Sequence, residues 1–259
     1  MGETNDPWKE ESLIALPDEC IQADLPGVLS AWRRLNESGF RIPVEQADII
    51  YRRFFEEWTE PYKSLKLEDV LFGMALARHP KAPAFIEYVF GMDDSDFTEA
   101  ACRALLAWHG LPDLFLIWVG ECDALYFDQM PAVAQDYIRG VDLWGTWMRA
   151  GTNVYFEDAG PEKLGLMSQA FVRMELPEAA VALDEAAGRW REMKDVSALN
   201  LPEAEHFAEM DPLRASWEAA LERMNGGKVC VLEGITRFAA QHSSEMRSAL
   251  GWTAPPPEG

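Results

Sequence analysis

The sequence is poor in the residues that most often carry chemistry: among 259 residues there are four cysteines and four histidines. The cysteines form no CxxC pair and no dense framework, which excludes the disulfide scaffolds of small secreted domains. No two histidines have the HExxH spacing of a helical zinc site, and the glycine-rich nucleotide and nucleophile-elbow motifs are also absent. We therefore predict reduced, buried thiols, no metal site and no cofactor.

Positive charge and long apolar runs are scarce as well. The chain has 23 Lys and Arg against 44 Asp and Glu, a net charge of -21, which argues against direct binding to a nucleic-acid backbone. The longest apolar stretches, such as residues 114–120, are far shorter than the roughly 20 residues that span a bilayer. The first residues lack the cationic start and apolar middle of a signal peptide. We expect a soluble, cytoplasmic protein that binds neither membrane nor nucleic acid.

What the chain does contain is enough apolar sequence for a sizeable core, since 48% of its residues are hydrophobic and 11% aromatic. The apolar residues recur at intervals of three and four, and Pro and Gly make the breaks, which is typical of helices. This pattern predicts an all-α, multi-helix bundle of about ten helices, with two helical subdomains as a possible division. The expected parts are a loosely ordered segment (1–25), an N-terminal subdomain (26–128), a C-terminal subdomain (129–252) and a proline-rich tail (253–259).

Individual helices follow from the same spacing and from capping residues. A short strand is expected at 229–231, and Pro212 is expected to interrupt one helix, because proline disfavours helical geometry in the residue before it. The predicted helices are 27–38, 44–58, 67–78, 82–90, 95–109, 111–126, 132–149, 161–174, 178–193, 202–224 and 235–250.

Negative charge is concentrated in the middle of the chain, where residues 81–160 contain 13 acidic and 4 basic residues. An unpaired carboxylate in a core is costly, so we expect these groups to face outward. Ordered carboxylates can imitate the charge of DNA and attract a basic protein over long range. The candidate partner-binding residues are Asp123, Asp128, Asp136, Asp142, Glu157 and Asp158.

A glycine followed by an aromatic pair and two carboxylates stands near the centre of the chain: Gly151, Tyr155, Phe156, Glu157 and Asp158. With its surroundings from 137 to 190, this segment resembles the core of the DMP19-like DNA-mimic family, in which a helix, a glycine-containing turn, an aromatic pair, a short acidic loop and two helices follow one another. Four neighbouring positions depart from the family motif: Arg149, Ala150, Thr152 and Val154. The resemblance implies an all-helical acidic protein that binds a DNA-binding protein or, in some relatives, neutralises a toxin.

The residues themselves give this segment a structural role. Gly151 permits a turn that would strain other residues, and Tyr155 and Phe156 are expected to pack the helical hairpin that follows. The interpretation of the whole chain is a non-enzymatic acidic binding protein that occludes the DNA-binding or active surface of a basic partner, as a DNA mimic or an immunity protein. Two alternatives stay open: a helical enzyme whose site only the fold assembles, and a scaffold whose charge serves solubility alone.

Overall fold

The structure, a computed structural model, describes residues 12–57, 62–92, 95–111, 127–225 and 230–249. These residues form twelve helices and no strand, apart from one isolated bridge between Leu13 and Arg41. The predicted all-α fold is therefore confirmed. None of the described helices combines the length and the hydropathy needed to cross a bilayer. The helices are α1 (Asp18–Ile21), α2 (Leu25–Glu37), α3 (Val44–Glu57), α4 (Tyr62–Leu76), α5 (Ala82–Phe90), α6 (Ser95–Trp108), α7 (Ala132–Ala150), α8 (Thr152–Arg173), α9 (Pro177–Ala198), α10 (Glu203–Asn225), α11 (Val231–Gln241) and α12 (Ser243–Ala249).

The described residues divide into two compact units. Unit one contains the residues up to Leu111 together with 239–249, and unit two contains 127–238. This differs from the predicted division, which assigned residues 239–252 to the second subdomain. The C-terminal helix belongs to unit one because Arg247, only 6% exposed, donates from Nη1 to the carbonyl oxygen of His109 at 2.5 Å.

Unit one is built around α2 to α6, whose apolar faces meet in a common core. Trp32, Ile50, Phe54, Met74 and Ile86 have no exposed surface. The core extends into the segment that was expected to be loose. Within 12–25, Leu16 is buried, and its backbone exchanges two hydrogen bonds with the side chain of Gln46, at 2.8 and 2.9 Å. The predicted helix 111–126 and the predicted tail 253–259 fall outside the described residues, except for Leu111 itself.

Unit two contains α7 to α10 and most of α11. Its helix α8 consists of two helical stretches that meet at Gly160, where φ is 64° and ψ is 171°. The second stretch matches the helix predicted from Pro161, whereas the first, from Thr152, was expected to be a turn and a loop. Pro161 and Gly160 together separate the stretches, because proline cannot continue the hydrogen bonding of the preceding turn.

Two further predictions in unit two are wrong. Helix α10 continues through Pro212, which lies on the exposed side of the helix together with Ala208. Water can therefore satisfy the Ala208 carbonyl that loses its helical donor. The expected strand at 229–231 is also absent from the described part of that range, because Val231 is the first residue of α11.

Candidate functional site

One of the predicted partner-binding carboxylates lies in the interior of unit two. Asp136 is only 2% exposed. Its carboxylate accepts hydrogen bonds from Nε and Nη2 of Arg173 at 2.5 and 2.7 Å, and from Nη1 of Arg139 at 3.1 Å. The expectation that Asp136 faces outward is wrong, because two guanidinium groups supply the compensation that a buried carboxylate needs.

Two other predicted carboxylates are paired with lysines of the same unit. Oδ2 of Asp142 lies 2.7 Å from Nζ of Lys163. Oε1 of Glu157 lies 3.3 Å from Nζ of Lys194. All four side chains remain substantially exposed. Each lysine therefore offsets the charge of its carboxylate, but the ion pair is weaker than a buried one would be.

Of the other predicted carboxylates, Asp128 and Asp158 are described by the structure and Asp123 is not. Asp128 and Asp158 are exposed and form no ion pair with a described residue. Asp123 lies outside the described residues. Glu157 and Asp158 belong to the first stretch of α8 rather than to the short loop that the family resemblance implied, because helical structure continues as far as Gly160.

Gly151 lies at the turn that the sequence predicted there. Its φ of 86° and ψ of 159° belong to a region that is essentially restricted to glycine. Helix α7 ends at Ala150 and α8 begins at Thr152, so the chain changes direction within a single residue. The turn brings the end of α7, with Trp147, next to the first residues of α8.

The aromatic pair that follows the turn is buried and forms part of a larger cluster. Tyr155 and Phe156 are 2% and 3% exposed. The ring centroid of Phe156 lies 6.0 Å from that of Trp190 and 5.7 Å from that of Trp217, and the two tryptophan centroids are 5.5 Å apart. The three rings join α8, α9 and α10 at one place, since each helix contributes one of them.

A cleft of about 800 Å³ opens beside this cluster, entirely within unit two. We call it the tryptophan cleft. Its lining comes from the end of α7, the start of α8 and the facing parts of α9 and α10. The apolar part of the lining consists of Trp147, Trp190, Met193, Met210, Trp217 and Leu221. Flat aromatic walls with a few polar groups at the edge are typical of a binding site.

Charged side chains of both signs line the tryptophan cleft: Lys194 from α9, and Arg214, Glu218 and Glu222 from α10. Nζ of Lys194 lies 4.9 Å from the ring centroid of Trp190, which is the geometry of a cation–π interaction. Glu218 and Glu222 are exposed and form no ion pair with any described residue. The cleft therefore already accommodates one ammonium group and has two available carboxylates at its edge.

Asp211 extends these two carboxylates into a row along α10. Asp211, Glu218 and Glu222 are seven and four residues apart, so they share one side of the helix, at about 10 Å and about 6 Å along its axis. All three are exposed. We call this row the acidic stripe; it is continuous with the tryptophan cleft, because its last two members line the cleft.

Trp217 has a buried polar atom that the described part of the chain does not satisfy. The residue is 5% exposed, and its Nε1 has no hydrogen-bond acceptor among the described residues. A buried donor without an acceptor costs about 1–3 kcal/mol. Trp217 lines the tryptophan cleft, but its Nε1 atom is itself buried, so a molecule bound in the cleft does not reach this donor.

The groups that line the cleft include aromatic faces, two carboxylates, a guanidinium and an ammonium group. Its lining includes neither histidine nor cysteine. Among the described residues of the whole chain, no group of three or more His, Cys, Asp or Glu could hold a metal ion. Comparison with known proteins gives no match. No family model, no curated protein and no solved structure is significantly similar to this chain.

The sequence did not single out the cleft. Trp147 lies near the end of α7 and is only partly buried, and it lines the cleft. Trp190 and Trp217 lie on different helices, 27 residues apart, and nothing in a local pattern indicates that they meet. The one available signal was the number of tryptophans, ten in the chain, since tryptophan is also enriched where proteins bind other molecules.

Proposed function

We propose that this chain is an acidic helical binding protein that docks on a basic protein partner and covers the surface with which that partner binds DNA or another anionic target. The observation that carries the proposal is the charge of unit two. Residues 127–225 contain 18 Asp and Glu against nine Lys and Arg. Of the 18, thirteen are exposed and form no ion pair with a described residue: Asp128, Asp158, Glu162, Glu175, Glu178, Asp184, Asp195, Glu203, Glu205, Glu209, Asp211, Glu218 and Glu222.

Such a surface acts on a basic partner in the way that DNA does. Its summed field raises the encounter rate with a cationic protein and orients the approach before contact. Helices hold the carboxylates at fixed separations, as in the acidic stripe, so the array loses little conformational entropy when the partner binds. The resemblance of residues 137–190 to the DMP19-like family favours the same function, with a DNA-binding protein or a toxin as the partner.

The test starts from the full chain immobilised on a support and a lysate of the cells that express it. We expect one or more basic proteins to be captured at about 50 mM NaCl and released at about 500 mM, where the Debye length is much shorter. The captured protein, once purified, should be displaced from the chain by duplex DNA. Capture that is insensitive to salt, or a partner that binds DNA and this chain simultaneously, would contradict the proposal.

A second experiment tests whether binding depends on where the carboxylates lie or only on the total negative charge. Neutralising the acidic stripe in the triple variant Asp211→Asn, Glu218→Gln, Glu222→Gln should weaken binding of the purified partner by about tenfold or more. A matched control removes three exposed carboxylates that lie outside the stripe and the cleft: Glu162→Gln, Glu178→Gln and Asp184→Asn. We expect the control to weaken binding by less than about threefold, as a long-range effect alone would. Equal losses in the two triple variants would show that the stripe has no special part in binding.

A further inference from the structure

The tryptophan cleft has the features of a site for one basic side chain. We propose that it binds an arginine or lysine side chain of a peptide segment, and that Lys194 occupies the cation position of this site in the free protein. The identity of the segment as part of a basic partner rests on the proposed function. The site itself rests on the geometry of the cleft.

The cation position is defined by Lys194 and Trp190. Nζ of Lys194 lies 4.9 Å from the ring centroid of Trp190, within the distance at which an aromatic face attracts a cation, and tryptophan is the strongest of the aromatic side chains in this interaction. The ring face is therefore accessible to an ammonium or guanidinium group. The same face is available to an incoming side chain once Lys194 moves away.

Lys194 has a place to which it can move. Its ammonium group is already 3.3 Å from Oε1 of Glu157 on α8, and its side chain is 55% exposed. Displacement from Trp190 therefore leaves the lysine with a carboxylate and with water. The exchange replaces one cation by another on the same ring, and no buried charge is left without compensation.

The second feature is the apolar lining of the cleft, to which Trp190 and Met193 of α9 and Trp217 and Leu221 of α10 contribute. Arginine and lysine have a long methylene chain that packs on apolar surface while the charged end group stays in contact with water or with an aromatic face. The cleft therefore matches both parts of a basic side chain. That this side chain belongs to a peptide rests on the proposed function.

The charges around the cleft favour a cation. The lining holds two carboxylates, Glu218 and Glu222, and two cations, Lys194 and Arg214. Lys194 is paired with Glu157, which lies outside the lining, so the cleft and this carboxylate together carry one negative charge. The excess of carboxylates in the rest of unit two adds a long-range field that attracts a cation and repels an anion.

The experiment compares two small probes of the same shape on the full chain. N-acetylarginine methylamide carries a guanidinium and two carbonyl groups, and N-acetylcitrulline methylamide replaces the guanidinium by a neutral urea. Binding is followed by NMR through the indole N–H signals, assigned with single tryptophan variants. We expect the arginine probe to shift the signals of Trp190 and Trp217 along a saturable binding curve. The dissociation constant of the citrulline probe should be at least about tenfold higher. Equal binding of the two probes, or no shift at these two signals, would overturn the proposal.

Substitution of Lys194 tests whether it occupies the site. Lys194→Ala should tighten binding of the arginine probe by about three- to tenfold, because the competing cation is gone. The matched control is Arg189→Ala, which also removes a cation from α9 and also frees a carboxylate, Glu192, from an ion pair of 2.7 Å. We expect less than about a twofold change for the control. If Lys194→Ala changes binding of the arginine probe no more than the control does, Lys194 does not occupy the cation position of the cleft.

The two proposals fail in different ways. The probes contain no partner protein, so their failure to bind, with stripe-dependent capture of a basic protein intact, would overturn the cleft site alone. Binding of the arginine probe as described, with no salt-sensitive partner captured, would overturn the proposed function and leave the cleft site standing. Trp190→Leu should abolish binding of the arginine probe, and circular dichroism verifies that this variant is folded.

Discussion

Two polar side chains buried in unit two are in opposite situations. The carboxylate of Asp136 accepts three hydrogen bonds from two arginines. The hydroxyl of Tyr155 is buried with no hydrogen-bond partner among the described residues. Burial, and secondarily the nearby carboxylate of Asp142, raises the pKa of Tyr155 above its ordinary value, so the hydroxyl stays protonated. It is a donor without an acceptor.

This difference gives a stability prediction for Tyr155→Phe. Removing the hydroxyl eliminates a desolvated polar group and keeps the ring, including its contact with Lys163, whose Nζ lies 5.3 Å from the ring centroid. We expect the free energy of unfolding to rise by about 1 kcal/mol, measured by urea denaturation. Tyr88→Phe is the matched control, since Tyr88 is 63% exposed and its hydroxyl loses only water. A loss of stability in Tyr155→Phe would mean that the hydroxyl has a partner after all.

At the scale of elements, the junction of α7 and α8 depends on one residue. A Cβ at position 151 would meet no atom within 4 Å, but the backbone there has a φ of 86°. The cost of Gly151→Ala is therefore conformational, and we expect a loss of about 1–3 kcal/mol in the free energy of unfolding. Gly165→Ala, in the second stretch of α8 and equally unobstructed, should instead gain about 0.5–1 kcal/mol. Equal effects of the two substitutions would contradict the role assigned to Gly151.

The helices that the sequence predicted are those with a regular apolar spacing between Pro or Gly breaks. Helix α5 has its predicted bounds, and α3 begins at its predicted residue, Val44. The first stretch of α8 was missed because the family resemblance implied a glycine-containing turn and a short acidic loop between Gly151 and Gly160. Helix α10 was predicted as one helix, but the interruption expected at Pro212 is absent, because the sequence does not show that this proline lies on the solvent side.

The same distinction between local and distant information applies to the site. The turn at Gly151 and the buried pair Tyr155 and Phe156 are encoded within six residues, and the sequence placed them. The burial of Asp136 depends on Arg173, 37 residues later, and the meeting of Trp190 with Trp217 depends on the pairing of α9 and α10. Charge composition alone could not distinguish a compensated carboxylate in the interior from an exposed one, because the compensating groups are distant in sequence.

At the scale of the whole molecule, the net charge of -21 lowers the free energy of unfolding, because the excess negative charges repel one another in the folded state. Lowering the pH towards the isoelectric point, about 4.5, protonates exposed carboxylates and reduces that repulsion, which favours the folded state. His109 in unit one opposes this trend. Burial, with Arg78 and Arg247 nearby, lowers the pKa of His109 from 6.5 to about 4.

The sign of the His109 contribution follows from proton counting. Between about pH 6.5 and pH 4 the unfolded chain binds a proton at His109 and the folded chain does not, so stability falls as the pH falls through this window. We expect a loss of about 1–2 kcal/mol, less than the full pKa difference implies, because the imidazole is partly exposed. His109→Gln removes this contribution and keeps the backbone carbonyl that accepts from Arg247. The free energy of unfolding of both proteins is measured by urea denaturation at pH 7.5 and pH 4.5. The variant should lose less stability than the wild type between these two pH values. Protonation of the carboxylates affects both proteins equally and therefore cancels in the comparison. Parallel pH dependences in the two proteins would show that His109 titrates alike in the folded and unfolded states.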